Sequence, residues 1–149
     1  DRSRGLGDVY KRQVFFGMSL STDYGAFVRA IMEGVALSMR DCMEIMPAAK
    51  KSISPIPLGG GAADSRVWCQ IFADVLNRPI VRLKSGETET LGDFIIAAES
   101  VGLTDVTRDF GKKLAAESEV LYPDSAAASV YDKAYQKYKA VYQNTKTLF

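Results

Sequence analysis

Between an apolar run and a segment of helical periodicity stands Leu58-Gly59-Gly60-Gly61-Ala62-Ala63-Asp64-Ser65. Glycines at such a junction let the backbone turn sharply and approach a ligand closely. Unpaired amides and the positive end of the following helix favour a phosphate or the sugar of a nucleotide. No Lys-Ser or Lys-Thr follows, so this is not a Walker A loop, and it is not GxGxxG, so neither of those mechanisms transfers. A tight strand-to-helix turn with no ligand accounts for the glycines equally well. Glu87, Glu89 and Asp93 could supply paired carboxylates for acid or base work. Glu87 and Glu89 fall in a polar turn and a first helical turn, however, where acids complement the helix dipole. Asp41 and Glu44 stand near Arg40 on a long helix, where a solvated face outweighs a metal site. The single tryptophan, Trp68, reads as core.

The totals narrow the chemistry further. The chain has no histidine, which removes Ser-His-Asp and Cys-His catalysis, histidine general bases and histidine metal sites together. Catalysis would have to use carboxylates, hydroxyls, lysine or backbone amides. Cys42 and Cys69 lie inside apolar stretches with no CxxC spacing and read as buried thiols, which fits a reducing cytoplasm. Lys and Arg number 19 against 18 Asp and Glu, so no basic field draws the chain to nucleic acid or to an anionic membrane. No run approaches the roughly 18 apolar residues of a membrane span. With 149 residues, 47% of them hydrophobic, the chain can bury one ordinary core without disulfide or metal staples.

The elements that position the glycines follow from periodicity. Residues 1–13, DRSRGLGDVYKRQ, are polar and aperiodic; they resemble an adaptor-derived translation or a disordered tail, and are expected to make few contacts with a domain at 14–149. Val14–Leu20 is rich in strand formers, and Ser21, Thr22 and Asp23 can cap a helix from about Tyr24 to Met46. That helix carries Phe27, Val28, Ile31, Val35, Met39, Cys42 and Met46 as its apolar stripe and Arg29–Glu33 as an ion pair, and Pro47 should end it. Gly34 within it suggests close packing against a neighbour. Ile53–Leu58 reads as a strand weakened by Pro55 and Pro57. Asp64 or Ser65 caps a helix whose inward face is Val67, Trp68, Ile71, Phe72, Val75 and Leu76. Asn77-Arg78-Pro79 turns the chain into a strand at Ile80–Leu83. Further helices are expected at Thr88 to about Val101, with Leu91, Phe94, Ile95 and Ala98 inward and Gly102 as its stop, at Thr107–Glu117, and at Ser129–Thr145. On the last of these, Tyr131, Tyr135, Tyr138 and Tyr142 form a docking stripe rather than a base-stacking platform. The order of strands and helices argues a layered α/β domain.

Three blocks in register carry a family resemblance: VFFGMSLSTDYGAFVRAIMEGVALSMRDCMEIM, PLGGGAADSRVWCQIFADVLNRPI and ETETLGDFIIAAESVG. From about Val14 to Tyr142 the chain resembles the C-terminal domain of the FGGY carbohydrate kinases, and the first block looks closest to the xylulokinase branch. The resemblance implies an actin-like, ribonuclease H-like fold, the C-terminal half of a two-domain sugar kinase that holds sugar mainly with its first domain and ATP with its second. It implies transfer of the γ-phosphoryl group of ATP, with Mg²⁺ as part of the substrate complex, to D-xylulose, giving D-xylulose 5-phosphate and ADP. Another FGGY kinase, acting on gluconate, glycerol or a related polyol, is the alternative; so is an actin-like nucleotide-binding module with no sugar chemistry. Carried over residue by residue, Gly60, Gly61 and Ala62 would meet the nucleotide. Ser65 stands where the family often has an asparagine reaching the adenosine. Gly59, Asp64, Leu91 and Gly92 would buttress the pocket. The catalytic aspartate, the phosphate-binding hairpin and the sugar contacts belong to the family's N-terminal domain. No catalytic residue, metal ligand or tightly bound cofactor is therefore expected in this chain, which should be inactive alone. A homodimer is compatible with the resemblance.

Overall fold

The computed structural model describes residues 14–46, 54–83 and 88–148. The expectations for residues 1–13, Pro47, Ile53 and Glu87, and for the side chain of Glu89, lie outside it. Helix α1 spans Tyr24–Ile45, and of its three candidate caps Asp23 serves, its Oδ1 accepting from the Ala26 amide at 2.7 Å. Arg29 and Glu33 pair at 2.8 Å as their spacing requires. The buried face of α1, however, is Ala36 and Leu37, flanked by half-buried Met32 and Met43. Ile31, Val35, Met39 and Cys42, on the expected stripe, are exposed. The helix carries apolar residues on two faces, and periodicity cannot say which one meets the core. A Cβ at Gly34 would meet nothing within 4 Å among the described residues, so close packing against them does not explain that glycine.

Val14–Leu20 forms no strand. It pairs with no ladder among the described residues, and a turn at Ser19–Thr22 leads it into α1, with the Phe15 ring stacked 4.5 Å from that of Phe27. The sheet has the order β1-β2-β3. Strand β1, Ile56–Leu58, follows a cis Ser54–Pro55 peptide. It pairs in parallel with β2, Ile80–Arg82, in the register Ile56↔Ile80 and Leu58↔Arg82. Between them run α2, a single turn at Gly61–Asp64, and α3, Arg66–Leu76. Pro57, exposed on β1, costs the ladder no hydrogen bond, because Ile56 donates to Pro79 O and Leu58 accepts from the Leu83 amide, leaving the Pro57 nitrogen on the side away from β2 at the sheet's edge.

Helix α3 is the centre of the core. Ile71, Phe72, Ala73, Asp74 and Val75 are buried in succession because α1, α6 and β2 surround them. The expected one-sided face therefore fails at Val67, which is 61% exposed, while Trp68 is half-buried and packs on the core. Asn77, left-handed at φ 49°, ends α3 and turns the chain into β2. Helices α4, Thr88–Ser100, and α5, Thr104–Glu117, pack on each other with Phe94 edge-on to Phe110. Gly102 separates them at φ +81°. Ala98 is buried in this hairpin, whereas Phe94 remains 44% exposed.

Strand β3, Glu119–Leu121, is not apparent from the sequence; it pairs antiparallel with β2 in the register Ile80↔Leu121 and Arg82↔Glu119. Three residues between a helix and Tyr122-Pro123 are too few for alternation to show. Helix α6, Ser125–Thr145, starts four residues earlier than its apolar pattern suggests, because Asp124 caps it through the Ala126 amide at 2.9 Å. Tyr131 and Tyr135 are buried and Tyr138 packs against the same core, while Tyr142 is half-exposed. The stripe is thus a docking face for three of its four rings. No described helix is long and apolar enough to cross a membrane.

Candidate functional site

The glycine segment joins β1 to α2 at the C-terminal edge of the parallel pair. Gly60 has φ +69° and ψ −163°, a conformation open in practice to glycine alone. Gly61 opens α2 with no positive φ, and a Cβ there would meet nothing within 4 Å among the described residues. One glycine is thus demanded by the backbone and the next is not, and the second faces open space. The Ala63 amide returns to Gly60 O at 2.9 Å and closes the turn. Ala63 itself is buried beneath it, while Ala62 is half-buried and packs against the core.

Ser65 ends α2 and caps α3. Its Oγ accepts from the Trp68 amide at 3.3 Å, and the Cys69 amide donates to Ser65 O at 3.0 Å. Cys69 is fully buried against this junction, and burial pushes its thiol up from the ordinary range. Cys42, by contrast, is exposed, so the expectation of two buried thiols holds for one of them. It sits on the α1 face that no described element covers.

The structure brings Gly59, Gly60, Gly61, Ala62, Asp64 and Ser65 together on one turn. Leu91 and Gly92 lie apart from it in chain and packing, on α4, whose partner is α5; a Cβ at Gly92 would also meet nothing within 4 Å among the described residues. Asp93 is exposed. Asp41 is half-buried and accepts a hydrogen bond from buried Tyr135 at 2.7 Å, while Glu44 is exposed.

Three charged residues around the turn carry little or no signal in the sequence. Arg82, four-fifths buried at the end of β2, donates from Nε to Ala63 O at 2.5 Å and from Nη2 to Asp64 O at 3.1 Å. Its Nη1 donates to Glu119 Oε2 at 3.2 Å, and Arg66 Nε donates to Glu119 Oε1 at 2.9 Å. The hydrogen bond from Arg66, with that from Arg82, holds the Glu119 carboxyl below its ordinary range. Arg82 has one mark, as the lone charge in the apolar run IVRL. Glu119 has none, since its strand shows no pattern. A separate surface hollow of about 360 Å³, lined by Arg40, Leu76, Asn77 and Asp132, lies at the other end of α3. That is roughly 16 Å of helix away, and Arg40 there is already engaged by Val75 O and Asp132.

Residues 8–101 match the C-terminal domain of the FGGY family of carbohydrate kinases. The chain belongs to that family. Xylulose kinase of Staphylococcus epidermidis is 34% identical over 95% of the chain, and the chain spans 29% of that relative's length. Among solved structures, a xylulose kinase from Rhodospirillum rubrum aligns over 91% of the chain and 28% of its own, with a TM-score of 0.66 and 30% identity. A xylulose kinase from Brucella ovis covers the same shares at a TM-score of 0.71 and 28% identity. The FGGY domain accordingly has the actin-like ATPase fold that the three sequence blocks imply.

Proposed function

We propose that this FGGY domain is the nucleotide-binding part of a kinase that transfers the γ-phosphoryl group of ATP to D-xylulose. The observation that carries this reading is the similarity to xylulose kinases, which runs across nearly the whole chain rather than through the glycine turn alone. In the reaction a hydroxyl oxygen of the sugar bonds to the γ-phosphorus, the bond from that phosphorus to the β,γ-bridging oxygen breaks, and ADP leaves. The hydroxyl proton passes to a base that the family places in its N-terminal domain, together with the sugar contacts. Mg²⁺ enters with the nucleotide and neutralises charge on its phosphates.

The contribution of this domain is to bind and orient. Gly60, Gly61 and Ala62 present backbone to the nucleotide without side chains in the way. Ser65 accepts at the α3 cap with one lone pair and keeps its O–H as a donor toward the nucleoside. Gly59 and Asp64 shape the turn. Positioning and charge stabilisation account for most of the catalysis in phosphoryl transfer, so a binding domain of this kind matters as much as the base.

The test is coupled ADP release with D-xylulose, glycerol and gluconate as acceptors. It is run on the 149-residue chain and on a polypeptide joining it to an FGGY N-terminal domain. Turnover of D-xylulose by the joined polypeptide alone is expected. Preference for glycerol or gluconate would reassign the sugar, and sugar-dependent turnover by the unjoined chain would overturn the division of labour.

A further inference from the structure

The two carbonyls that follow the glycine turn, of Ala63 and Asp64, both point at one guanidinium. Arg82 reaches them with Nε and Nη2 and spends Nη1 on Glu119, so all three of its nitrogens are engaged by protein groups. Register places the pair: Arg82 and Glu119 are direct cross-strand partners at the ends of β2 and β3. The second oxygen of Glu119 is held by Arg66 in the first turn of α3. The circuit runs from the start of α3, through β3 and β2, to the end of α2, and encloses Ser65.

Helix α2 is a single turn, and one turn of helix has little stability of its own. Its end carbonyls lack helical partners and are satisfied from outside, here by a cation at the C-terminal end, where a cation is favoured. A lysine in place of Arg82 would supply the charge but not the planar fork that meets two carbonyls and a carboxylate together. Arg82 thus sets where Gly61 and Ala62 lie relative to Ser65, with one N–H on each of its three nitrogens held by protein groups.

We propose that Arg82, braced by Glu119, is a positioning residue for nucleotide binding, fixing the Gly60–Ser65 turn through the carbonyls of Ala63 and Asp64. The proposal rests on the reading that this turn meets ATP. Because the contact is indirect, its loss should weaken the nucleotide while leaving the sugar unaffected; a misplacement of about 1 Å can cost as much as a hundredfold in a reaction that depends on alignment.

The experiment compares Arg82→Gln, Arg82→Lys, Glu119→Gln and Gly61→Val in the joined polypeptide. Calorimetry gives the Kd for ATP with Mg²⁺ and for D-xylulose, steady-state kinetics give the two KM values, and thermal melts give folding. Arg82→Gln is expected to raise the ATP Kd about tenfold, with Arg82→Lys between it and the parent, and to leave the sugar Kd within about twofold. Glu119→Gln should move the ATP Kd in the same direction by less, since an amide oxygen still accepts from a guanidinium. A purely structural role would lower kcat through lost active protein and leave both affinities in place, and that result would overturn the proposal. Should Arg82→Gln fail to fold, the Glu119→Gln and Arg82→Lys affinities decide in the same way. If Gly61→Val weakens ATP and neither Arg82 nor Glu119 variants do, the proposal falls alone. If Gly61→Val leaves ATP binding unchanged, the nucleotide reading of the turn falls and takes the proposal with it.

Discussion

The phenol of Tyr135 on α6 donates a 2.7 Å hydrogen bond to Asp41 Oδ1 on α1, joining the two long helices across a mostly apolar seam. One helical turn before Tyr135, Tyr131 donates to Glu33 at 2.9 Å and accepts from Arg29 at 3.0 Å. Arg40 reaches Asp132 at 2.6 Å and lies 4.6 Å from the Tyr135 ring centroid, with Lys139 Nζ at 4.5 Å from the same centroid. Aromatic bodies fill the core while their hydroxyls find carboxylates at its rim.

Burial, with the hydrogen bond to Asp41 second, pushes the Tyr135 phenol up to about 12 from 10.0. A phenol held protonated by the fold contributes stability that is fully present below its unfolded value and is lost as pH rises through its folded value. The domain should therefore lose stability between pH 10 and about 12. Tyr135→Phe should cost about 1 kcal/mol at neutral pH and flatten this alkaline loss. It should not abolish it, because Tyr131 is also raised, by burial first. Urea midpoints of parent and variant across that range, with tyrosinate absorbance alongside, check both parts; parallel curves would sink the assignment.

Asp74 is buried at 8% exposure, and its Oδ1 accepts from Gln70 Nε2 at 2.8 Å and from the Asp124 amide at 2.9 Å. Asp124 in turn caps α6, so a side chain on α3 fixes where α6 begins. Asp74→Ala leaves the Asp124 amide and Gln70 without this acceptor and should cost about 1–3 kcal/mol. Asp124→Ala, which removes only the cap, should cost about 1 kcal/mol. The double variant should cost less than the sum, since the two residues share one hydrogen-bonded junction. Denaturant midpoints of the three variants measure this, and strict additivity would show the two contacts to be independent.

The local signals in the sequence are the ones that match the fold. Asp23, Ser65 and Asn77-Arg78-Pro79 mark boundaries because caps and turns act within three or four residues, and the glycine segment stands out because its composition is unusual. What the sequence hides depends on partners distant in the chain. Which apolar face of α1 is buried depends on where α3 and α6 lie, and the burial of Ala73 and Asp74 follows from α3 being enclosed. The link from Arg82 to Glu119 crosses 37 residues and exists only once β3 is in register. The start of α6 is hidden for a different reason: Asp124 precedes a run of alanines, which are helix formers but too small to show an apolar period.

Glu119 offers an acid-side test of that link. Its carboxyl is held below the ordinary 4.5, first by the hydrogen bond from Arg66. A depressed carboxylate contributes stability above its unfolded value and loses it as pH falls through its folded value. The loss should therefore begin as pH drops below about 4.5 and reach completion under the folded value. Arg66→Ala should move the Glu119 titration back toward 4.5, and Glu119→Gln should remove its share of the acid slope. Carbon-detected NMR titration of the side-chain carboxyl reads the first effect directly; a Glu119 titrating at or above 4.5 in the parent would refute the brace.

Neighbouring glycines should respond in opposite ways. Gly60 occupies φ +69° and ψ −163°, where a Cβ is strained whatever the space around it, so Gly60→Ala should cost about 1–3 kcal/mol. The turn would have to deform to accept the methyl group, and ATP affinity should fall along with melting temperature. Gly61 is unstrained and open: the Cβ that Gly61→Val introduces meets nothing within 4 Å among the described residues. Its effect on stability should stay within about 0.5 kcal/mol, as for a surface substitution. If nucleotide lies over the turn, the added isopropyl group occupies the ligand's space, and ATP affinity should fall although the fold does not. Thermal melts paired with ATP calorimetry on both variants separate the cases. A stable Gly60→Ala would contradict the backbone argument, while a Gly61→Val variant that keeps both its stability and its ATP affinity would mean that the open side of the turn faces only water.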